Sequence, residues 1–199
     1  MEEKTVKQPE DPQFPDVVLA LCADYLRGRT EWDETPEALV LRDANGTGLA
    51  WESLGIPEEA WAMTHPPVVL AGYAHLAAQP GLINLPQGVV AVAFRYEAFV
   101  IAQDTSPEAA EAIRRRRAGG SAPRNEHVPG RVEQRVITAV DACRREYMVA
   151  ADRQADGGAV LSTSKVFAAQ KLMGNVPSAL NTLMVAMSSQ PTPHRNSSR

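Results

Sequence analysis

The chain has 199 residues, a formal net charge of −4, 44% hydrophobic residues and 22% charged residues. These values are typical of one globular domain that buries a core of its own, which excludes a small scaffold dependent on disulfides or metal. The modest negative charge favours solubility but selects no class of partner.

The sequence predicts a cytoplasmic protein without a membrane segment. Residues 1–13 are charged and lack the apolar run of a signal peptide, and no stretch approaches the roughly 18 apolar residues of a membrane helix. The two cysteines, Cys22 and Cys143, form neither a disulfide framework nor a zinc signature. We therefore expect free thiols in a reducing compartment.

Polar tails flank a single predicted domain. Residues 1–14 and 188–199 are rich in polar residues and proline, so they cannot bury enough apolar surface to offset the entropy of ordering. We predict two disordered tails, 1–14 and 188–199, around one α+β domain that spans residues 15–187.

The first half of the domain begins with a helix over 16–27, where apolar residues recur at helical spacing. A short apolar run over 38–43 precedes the turn signal Asn45-Gly46, which indicates a strand. Prolines at the first turn and small apolar residues predict helices over 57–63 and 67–78.

Residues 89–102 carry the strongest strand signal in the chain. They are rich in β-branched and aromatic side chains, and both alternating faces are largely apolar. This pattern is typical of a central strand that is covered on both sides, with a bend near Glu97 that could divide it. Arg95 and Glu97 place two charges on one of these faces.

The second half continues with a helix over 106–117, capped by Ser106, and a Gly/Pro/Ser-rich loop that should be mobile. Alternating residues over 132–141 and 146–153 predict a β-hairpin. After it we predict two short helices, one following the Ser162–Ser164 hydroxyls to about residue 173 and one starting at Asn175.

These elements predict an α+β fold: a single, mostly antiparallel sheet of four to five strands, with helices packed on one face. Four short segments add a resemblance. They are Trp32-Asp33-x-x-Pro36 leading into ALVL, then VAVAFRYEAFVI, then RVITAVD with its hairpin strand, and Gly174–Leu180. Together they resemble a loose group of small actinobacterial and actinophage proteins, which implies a shared fold and supplies no activity. The hairpin departs from that group, since Ala-Cys-Arg-Arg replaces the usual Asp-Gly turn.

The common catalytic and cofactor signatures are missing from the sequence. There is no GxxxxGK[ST], GxGxxG after a strand, HExxH, CxxC or GxSxG. The four histidines show no ligand spacing, so we predict neither a metal nor a cofactor. This favours a non-catalytic protein.

Arg95 and Glu97 allow two interpretations. Charges on an apolar strand face are costly unless paired, so they could form a structural ion pair across strands, with Arg42 or Arg135 as the partner. Alternatively, Glu97 could act in a pocket as a general acid or base, or as a carboxylate that orients a ligand, with Arg95 beside it. His75, on the 67–78 helix, is either an ordinary helix residue or a third member of such a site.

A basic tract runs through the predicted loop at 115–131 and its flanks. Its members are Arg114, Arg115, Arg116, Arg117, Arg124, Arg131 and Arg135. They could bind a phosphate backbone or an acidic protein surface, or they could be a helix end favoured by the dipole and a solvated loop.

Three functional hypotheses result. The first is a non-catalytic interaction or regulatory protein with a protein partner, for which Trp51, Trp61 and Met187 are candidate surface residues. The second is nucleic-acid association through residues 114–135. The third is a small enzyme around Arg95 and Glu97. We favour the first, because the motifs that carry chemistry are absent from the sequence.

Overall fold

Six strands form one antiparallel sheet, and helices lie on both of its faces. The computed structural model describes residues 8–43, 48–79, 81–102, 104–167, 171–172 and 174–189. The elements in chain order are α1 Phe14–Arg27, β1 Glu37–Arg42, β2 Ala50–Ser53, α2 Glu58–Met63, α3 Pro66–Ala77, β3 Val89–Val100, α4 Pro107–Arg117, β4 Val132–Asp141, β5 Glu146–Arg153, β6 Ala159–Phe167 and α5 Asn175–Ser188. A single 3-10 turn, Asn125–His127, lies between α4 and β4.

The strand order is β2-β1-β3-β4-β5-β6, so β3 lies inside the sheet between β1 and β4. The predicted central position of this strand is therefore confirmed. It runs without a break past Glu97, which lies opposite Arg135 on β4. The register shift falls instead between Leu41 and Arg42 of β1.

Each face of the sheet has its own hydrophobic core. On one face α1 places Phe14, Val18 and Leu26 against side chains of β1, β3, β4 and β5. On the other face, α3 and α5 cover Val92 and Phe94. The expected helical layer on one face alone is wrong, because both faces of β3 carry apolar side chains that need cover.

The prediction of four to five strands falls short because it lacks two strands at the edges of the sheet. Strand β2 has only four residues and is partly exposed, so its sequence shows no clear alternation. Strand β6 lies where the sequence predicted a helix. That prediction depended on the hydroxyl side chains of Ser162–Ser164, which resemble a helix cap. Gly157, with φ of +85°, lies in the turn that returns the chain antiparallel to β5. Residues 168–170 and 173 of that predicted helix lie outside the described residues.

The β4–β5 hairpin is confirmed, and an aspartate organises its unusual turn. Arg144 has φ of +65°, a conformation that normally favours glycine. The Asp141 carboxylate accepts hydrogen bonds from the Arg145 backbone N–H (2.9 Å) and guanidinium (2.6 Å), and from the Tyr147 hydroxyl (2.5 Å). The Asp141 side chain thus stabilises the turn that an Asp-Gly pair was expected to form.

The ends of the domain differ slightly from the predicted boundaries. Helix α1 begins at Phe14, whose side chain is fully buried, rather than at Asp16. Most of the two predicted disordered tails, residues 1–7 and 190–199, lies outside the described residues. Within the described part of the chain, every helix is too short or too polar to cross a bilayer.

Phe14 gives a direct test of the boundary of the domain. We expect Phe14→Ala to lower the free energy of unfolding by about 3–5 kcal/mol, because it empties a fully buried site under α1. Pro12→Ala, at an exposed position two residues earlier, is the matched control and should change little. Urea denaturation followed by circular dichroism measures both. Equal midpoints for the two variants would contradict a structural role for Phe14.

Candidate functional site

Glu97 forms a buried ion pair with Arg135, as the structural interpretation of the sequence suggested. The Arg135 side chain is fully buried, and its Nε lies 3.0 Å from Glu97 Oε1. The same guanidinium donates hydrogen bonds to the backbone carbonyls of Arg29 and Glu31, and it lies against the ring of Trp32. This pair therefore holds the linker between α1 and β1 onto the sheet.

Arg95 lies two residues earlier on the same face of β3, in different surroundings. Its side chain is only 3% exposed, and Nη2 donates to the Thr35 carbonyl at 2.6 Å. Nη2 also lies 3.2 Å from Glu34 Oε2 and 3.9 Å from Glu37 Oε2. The other two nitrogens of Arg95, Nε and Nη1, are buried and have no hydrogen-bond partner among the described residues.

The end of α1 and the linker after it complete this charged cluster. The Tyr25 hydroxyl donates to the Glu37 carboxylate, and Arg29 contacts the same carboxylate at 3.0 Å. Burial, together with the hydrogen bond to Glu37, raises the pKa of Tyr25 to about 12. Burial also lowers the pKa of Arg95, and the nearby carboxylate of Glu34 opposes that change.

An open cavity of about 460 Å³ lies beside Arg95, and we call it the Arg95 cavity. Its lining combines polar and apolar side chains: Arg29, Asp33, Glu34, Thr35, Pro36, Glu37, Ala38, Ser53, Ile56, Glu58, Trp61 and Arg95. Four carboxylates thus face two guanidinium groups. Arg95 contributes little accessible surface to the cavity, since its side chain is only 3% exposed.

His75 does not join Arg95 and Glu97. It is exposed on α3, where its ring lies 3.0 Å from the side-chain nitrogen of Gln79. Helix α3 covers the opposite face of the sheet from Arg95, and His75 is not among the residues that line the Arg95 cavity. The three residues of the predicted enzyme site are therefore not brought together.

Three carboxylates, from Asp33, Glu97 and Glu133, have oxygens within 4.8 Å of one another. Two arginines compensate their charge. Arg135 pairs with Glu97, while Arg153 Nη1 lies 2.8 Å from Glu133 and 3.7 Å from Asp33. This cluster is a network of ion pairs, and we assign no metal to it.

The basic tract is divided by the fold. Arg135 is buried in the sheet and cannot reach a partner, so it is not part of a binding surface as predicted. The other members lie outside the sheet core, and most make local contacts. Arg114 and Arg115 pair with Glu111, Arg116 donates to Asn125 and the Pro123 carbonyl, Arg124 lies near Glu126, and Arg131 covers the ring of Phe99. Such contacts favour the interpretation of this tract as a helix end with its solvated loop.

A third surface escaped the sequence predictions. Residues 60–94 contain no Asp, Glu, Lys or Arg, and α5 contains none either. Helices α3 and α5 contact each other on one face of the sheet. We call their exposed sides, together with the chain just before and after α3, the uncharged helix face. Its large exposed apolar residues are Met63, Val68, Leu76, Leu82 and Val185.

Of the aromatic and methionine residues predicted to lie on the surface, Trp61 and Met187 are instead buried in the core. Trp61 packs against Phe94 with ring centroids 5.5 Å apart. The sequence does carry a signal for the uncharged helix face, which is the long run of residues without charge. Such a run is a property of a whole segment and not of any single residue.

Comparison of the chain with protein-family models, with curated proteins and with solved structures found no match. The resemblance to actinobacterial and actinophage proteins therefore stays a prediction. A fold alone does not imply a function, so the surfaces and the cavity carry the evidence for one.

The Glu97–Arg135 pair predicts a large effect on stability. We expect Glu97→Gln to lower the free energy of unfolding by about 3–5 kcal/mol, because it leaves the Arg135 charge buried without a counterion. Glu126→Gln removes a carboxylate from an exposed pair and should cost less than about 1 kcal/mol. Urea denaturation of both variants provides the comparison, and similar losses would refute the structural role of the buried pair.

Tyr25 predicts a specific pH dependence. Its pKa is about 12 in the folded protein against an ordinary value of 10.0, so its contribution to stability is complete below pH 10 and is lost as the pH rises towards 12. The difference in stability between the wild type and Tyr25→Phe should shrink over that interval. Denaturant titrations at a series of pH values across it measure the difference, and a constant value would contradict the assignment.

Proposed function

We propose that this protein is a non-catalytic interaction protein that binds through the uncharged helix face, and that its partner there is a second copy of the same chain. The observation that carries the proposal is the combination of exposed large apolar side chains with a complete lack of Asp, Glu, Lys and Arg on α3 and α5.

Charge depletion is what distinguishes this face from an ordinary surface. Small domains usually expose Lys, Arg, Asp and Glu of both signs, whereas the centre of a protein interface is depleted in them. Met63 is 85% exposed and Val68 is 53% exposed, so these side chains are not part of the core. Exposed large apolar side chains that are gathered on one face of a domain mark an interaction site.

Helix α3 is unusual in being largely apolar around its whole circumference. A helix that faces water on one side normally has a polar stripe there. The only residue of α3 that can carry a charge near neutral pH is His75, and Gly72 leaves open space at its exposed position. Another protein surface could therefore approach the backbone of α3 closely.

The charge of the molecule favours a second copy as the partner. The chain has a net charge of −4, so most ways of bringing two copies together oppose like charges. In a two-fold dimer the same surface patch meets itself, and a patch without charge meets itself without repulsion. A membrane surface is disfavoured as the partner, because helices that bind it carry Lys or Arg beside their apolar face.

The cellular address that we propose is the cytoplasm. Cys22 is buried in α1, where burial strongly raises the pKa of its thiol, and Cys143 is exposed in the β4–β5 turn. Both are free thiols, which supports a reducing compartment.

Leu76 and Val160 give a matched test of self-association. We expect the wild type to sediment as a dimer at micromolar concentration. Leu76→Glu introduces a charge on the uncharged helix face and should yield a folded monomer, since the two copies would bring two such charges into one apolar interface. Val160→Glu adds the same charge at a similarly exposed valine on β6 and should remain dimeric.

Sedimentation velocity over a range of concentrations measures the association of all three proteins. A wild type that stays monomeric throughout would overturn self-association. Loss of the dimer in Val160→Glu but not in Leu76→Glu would place the interface on β6 instead of on the uncharged helix face.

A further inference from the structure

Two histidines give the uncharged helix face side chains that can change their charge near neutral pH. His65 occupies the N-cap position of α3 and His75 lies in its last turn, and both residues are exposed. Histidine is the one side chain whose ordinary titration falls between about pH 5 and pH 8. The pH can therefore set the charge of this face, whereas surfaces rich in Asp, Glu, Lys and Arg keep their charge over the same interval.

His75 lies in the middle of the exposed side of α3. Residues that are three, four or seven positions apart share one side of a helix. This spacing places His75 beside Gly72 and Gln79 and on the same side as Val68, and each of these residues is exposed. Gly72 leaves open space where a side chain would lie. A second copy that packs against Val68 and Leu76 would therefore cover the imidazole ring of His75 as well.

The hydrogen bond of His75 fits a neutral imidazole ring. The side-chain nitrogen of Gln79 lies 3.0 Å from Nε2 of His75. An amide nitrogen only donates, so with the amide in this orientation Nε2 is the acceptor and the ring proton is on Nδ1. Protonation of Nε2 would set two donors against each other until the amide turned over. This contact is therefore made by the uncharged form of His75.

The segments around the exposed side of α3 are poor in charge. Helix α5 packs against α3, and residues 78–88 follow it, and neither segment contains Asp, Glu, Lys, Arg or His. Helix α2 also contacts α3 and carries Glu58 and Glu59. It precedes the first turn of α3, however, at the opposite end of that helix from His75. These segments therefore supply no carboxylate beside His75.

On the side of α3 that faces the sheet, the charges are already paired. Tyr73 shares a cavity with Arg42 and Glu52, and Arg42 Nη2 lies 2.6 Å from Glu52 Oε2. Burial raises the pKa of Tyr73, so its hydroxyl is neutral near neutral pH. Tyr73 packs against the core, whereas His75 is exposed. A positive charge on His75 in the interface would thus lack a counterion on the uncharged helix face of either copy.

We propose that His75 makes self-association through the uncharged helix face dependent on pH, so that the dimer forms while His75 is neutral and dissociates when it is protonated. This inference rests on the proposed self-association and adds its regulation. A two-fold dimer brings two copies of His75 into one apolar interface, where like charges repel and a charge without a partner is costly. Because the dimer disfavours the bound proton, a fall in pH weakens association and a rise strengthens it.

The direction of the effect separates this mechanism from the influence of the overall charge. The chain has a net charge of −4 when its four histidines are neutral. Protonation of the histidines makes the net charge less negative, so the general repulsion between two copies decreases on acidification. The overall charge alone therefore predicts tighter association at lower pH, whereas a switch at His75 predicts weaker association.

The test is sedimentation velocity of the full chain from about pH 8 to about pH 5.5, an interval in which histidine titrates while most carboxylates stay ionised. We expect the dissociation constant of the wild-type dimer to rise at least about tenfold towards the lower pH. His75→Gln has no charge to gain and should stay dimeric throughout. His65→Gln, at the other end of α3, and His127→Gln, on the 3-10 turn before β4, are the matched controls and should keep most of the wild-type pH dependence.

Several results would overturn the switch. They are a wild-type dimer whose dissociation constant is unchanged or lower at acid pH, dissociation on acidification that persists in His75→Gln, or pH dependence that is abolished by His65→Gln instead. If both His75→Gln and a second neutral variant, His75→Ala, are monomeric at the alkaline end of the interval, His75 acts through its shape and not through its charge, which also overturns the switch.

Two further observations keep these outcomes separate from others. Circular dichroism at each pH defines the interval in which all the proteins are folded, and association is compared only there. A wild type that is already monomeric at the alkaline end contradicts self-association itself, whereas a wild-type dimer that persists at every pH contradicts only the switch.

Discussion

The side chains of β3 point alternately to two apolar faces of the sheet, and each face needs its own cover. This requirement places α1 on one side, and α3 and α5 on the other. It also explains why β3 lies inside the sheet, where both neighbours satisfy its backbone groups. The positions of the cavity and of the uncharged helix face both follow from this arrangement.

At the far end of β3 the apolar pattern gives way to Arg95 and Glu97, and the chain has to supply partners for buried charges. It does so with the linker between α1 and β1, whose carbonyls at Arg29, Glu31 and Thr35 accept hydrogen bonds from Arg135 and Arg95. The two arginines thereby shape a segment without regular secondary structure. The same contacts leave the Arg95 cavity between that linker, β1 and α2.

The sequence sufficed for those elements whose pattern is local. The alternation of β3, the Ser106 cap of α4 and the β4–β5 hairpin all depend on neighbouring residues, and the structure contains each of them. Strand β6 could not be recognised in this way, because its hydroxyl residues are equally typical of a helix cap and its pairing with β5 is a tertiary contact. The count of positive charges placed Arg135 in the predicted binding tract, although the predicted strand over 132–141 already made it a sheet residue.

The same distinction between local sequence patterns and tertiary contacts applies to the candidate sites. Pairing of Glu97 with Arg135 could be anticipated, since an isolated charge on an apolar strand needs a counterion. The cavity beside Arg95 could not, because Glu34, Ile56 and Trp61 come from separate segments that only the folded chain brings together.

The position of α5 after the six strands of the sheet has a consequence for biosynthesis. This helix covers β3 and β4 on one face, yet it follows all six strands in the chain and is synthesised after them. Until residues 175–188 have been synthesised, the apolar side chains on that face of β3 lack this cover. Residues 60–94 carry no charged side chains that would discourage aggregation in the meantime. The whole sheet is thus synthesised before this cover is available, and the nascent chain at that stage is a natural client for chaperones that bind exposed apolar segments.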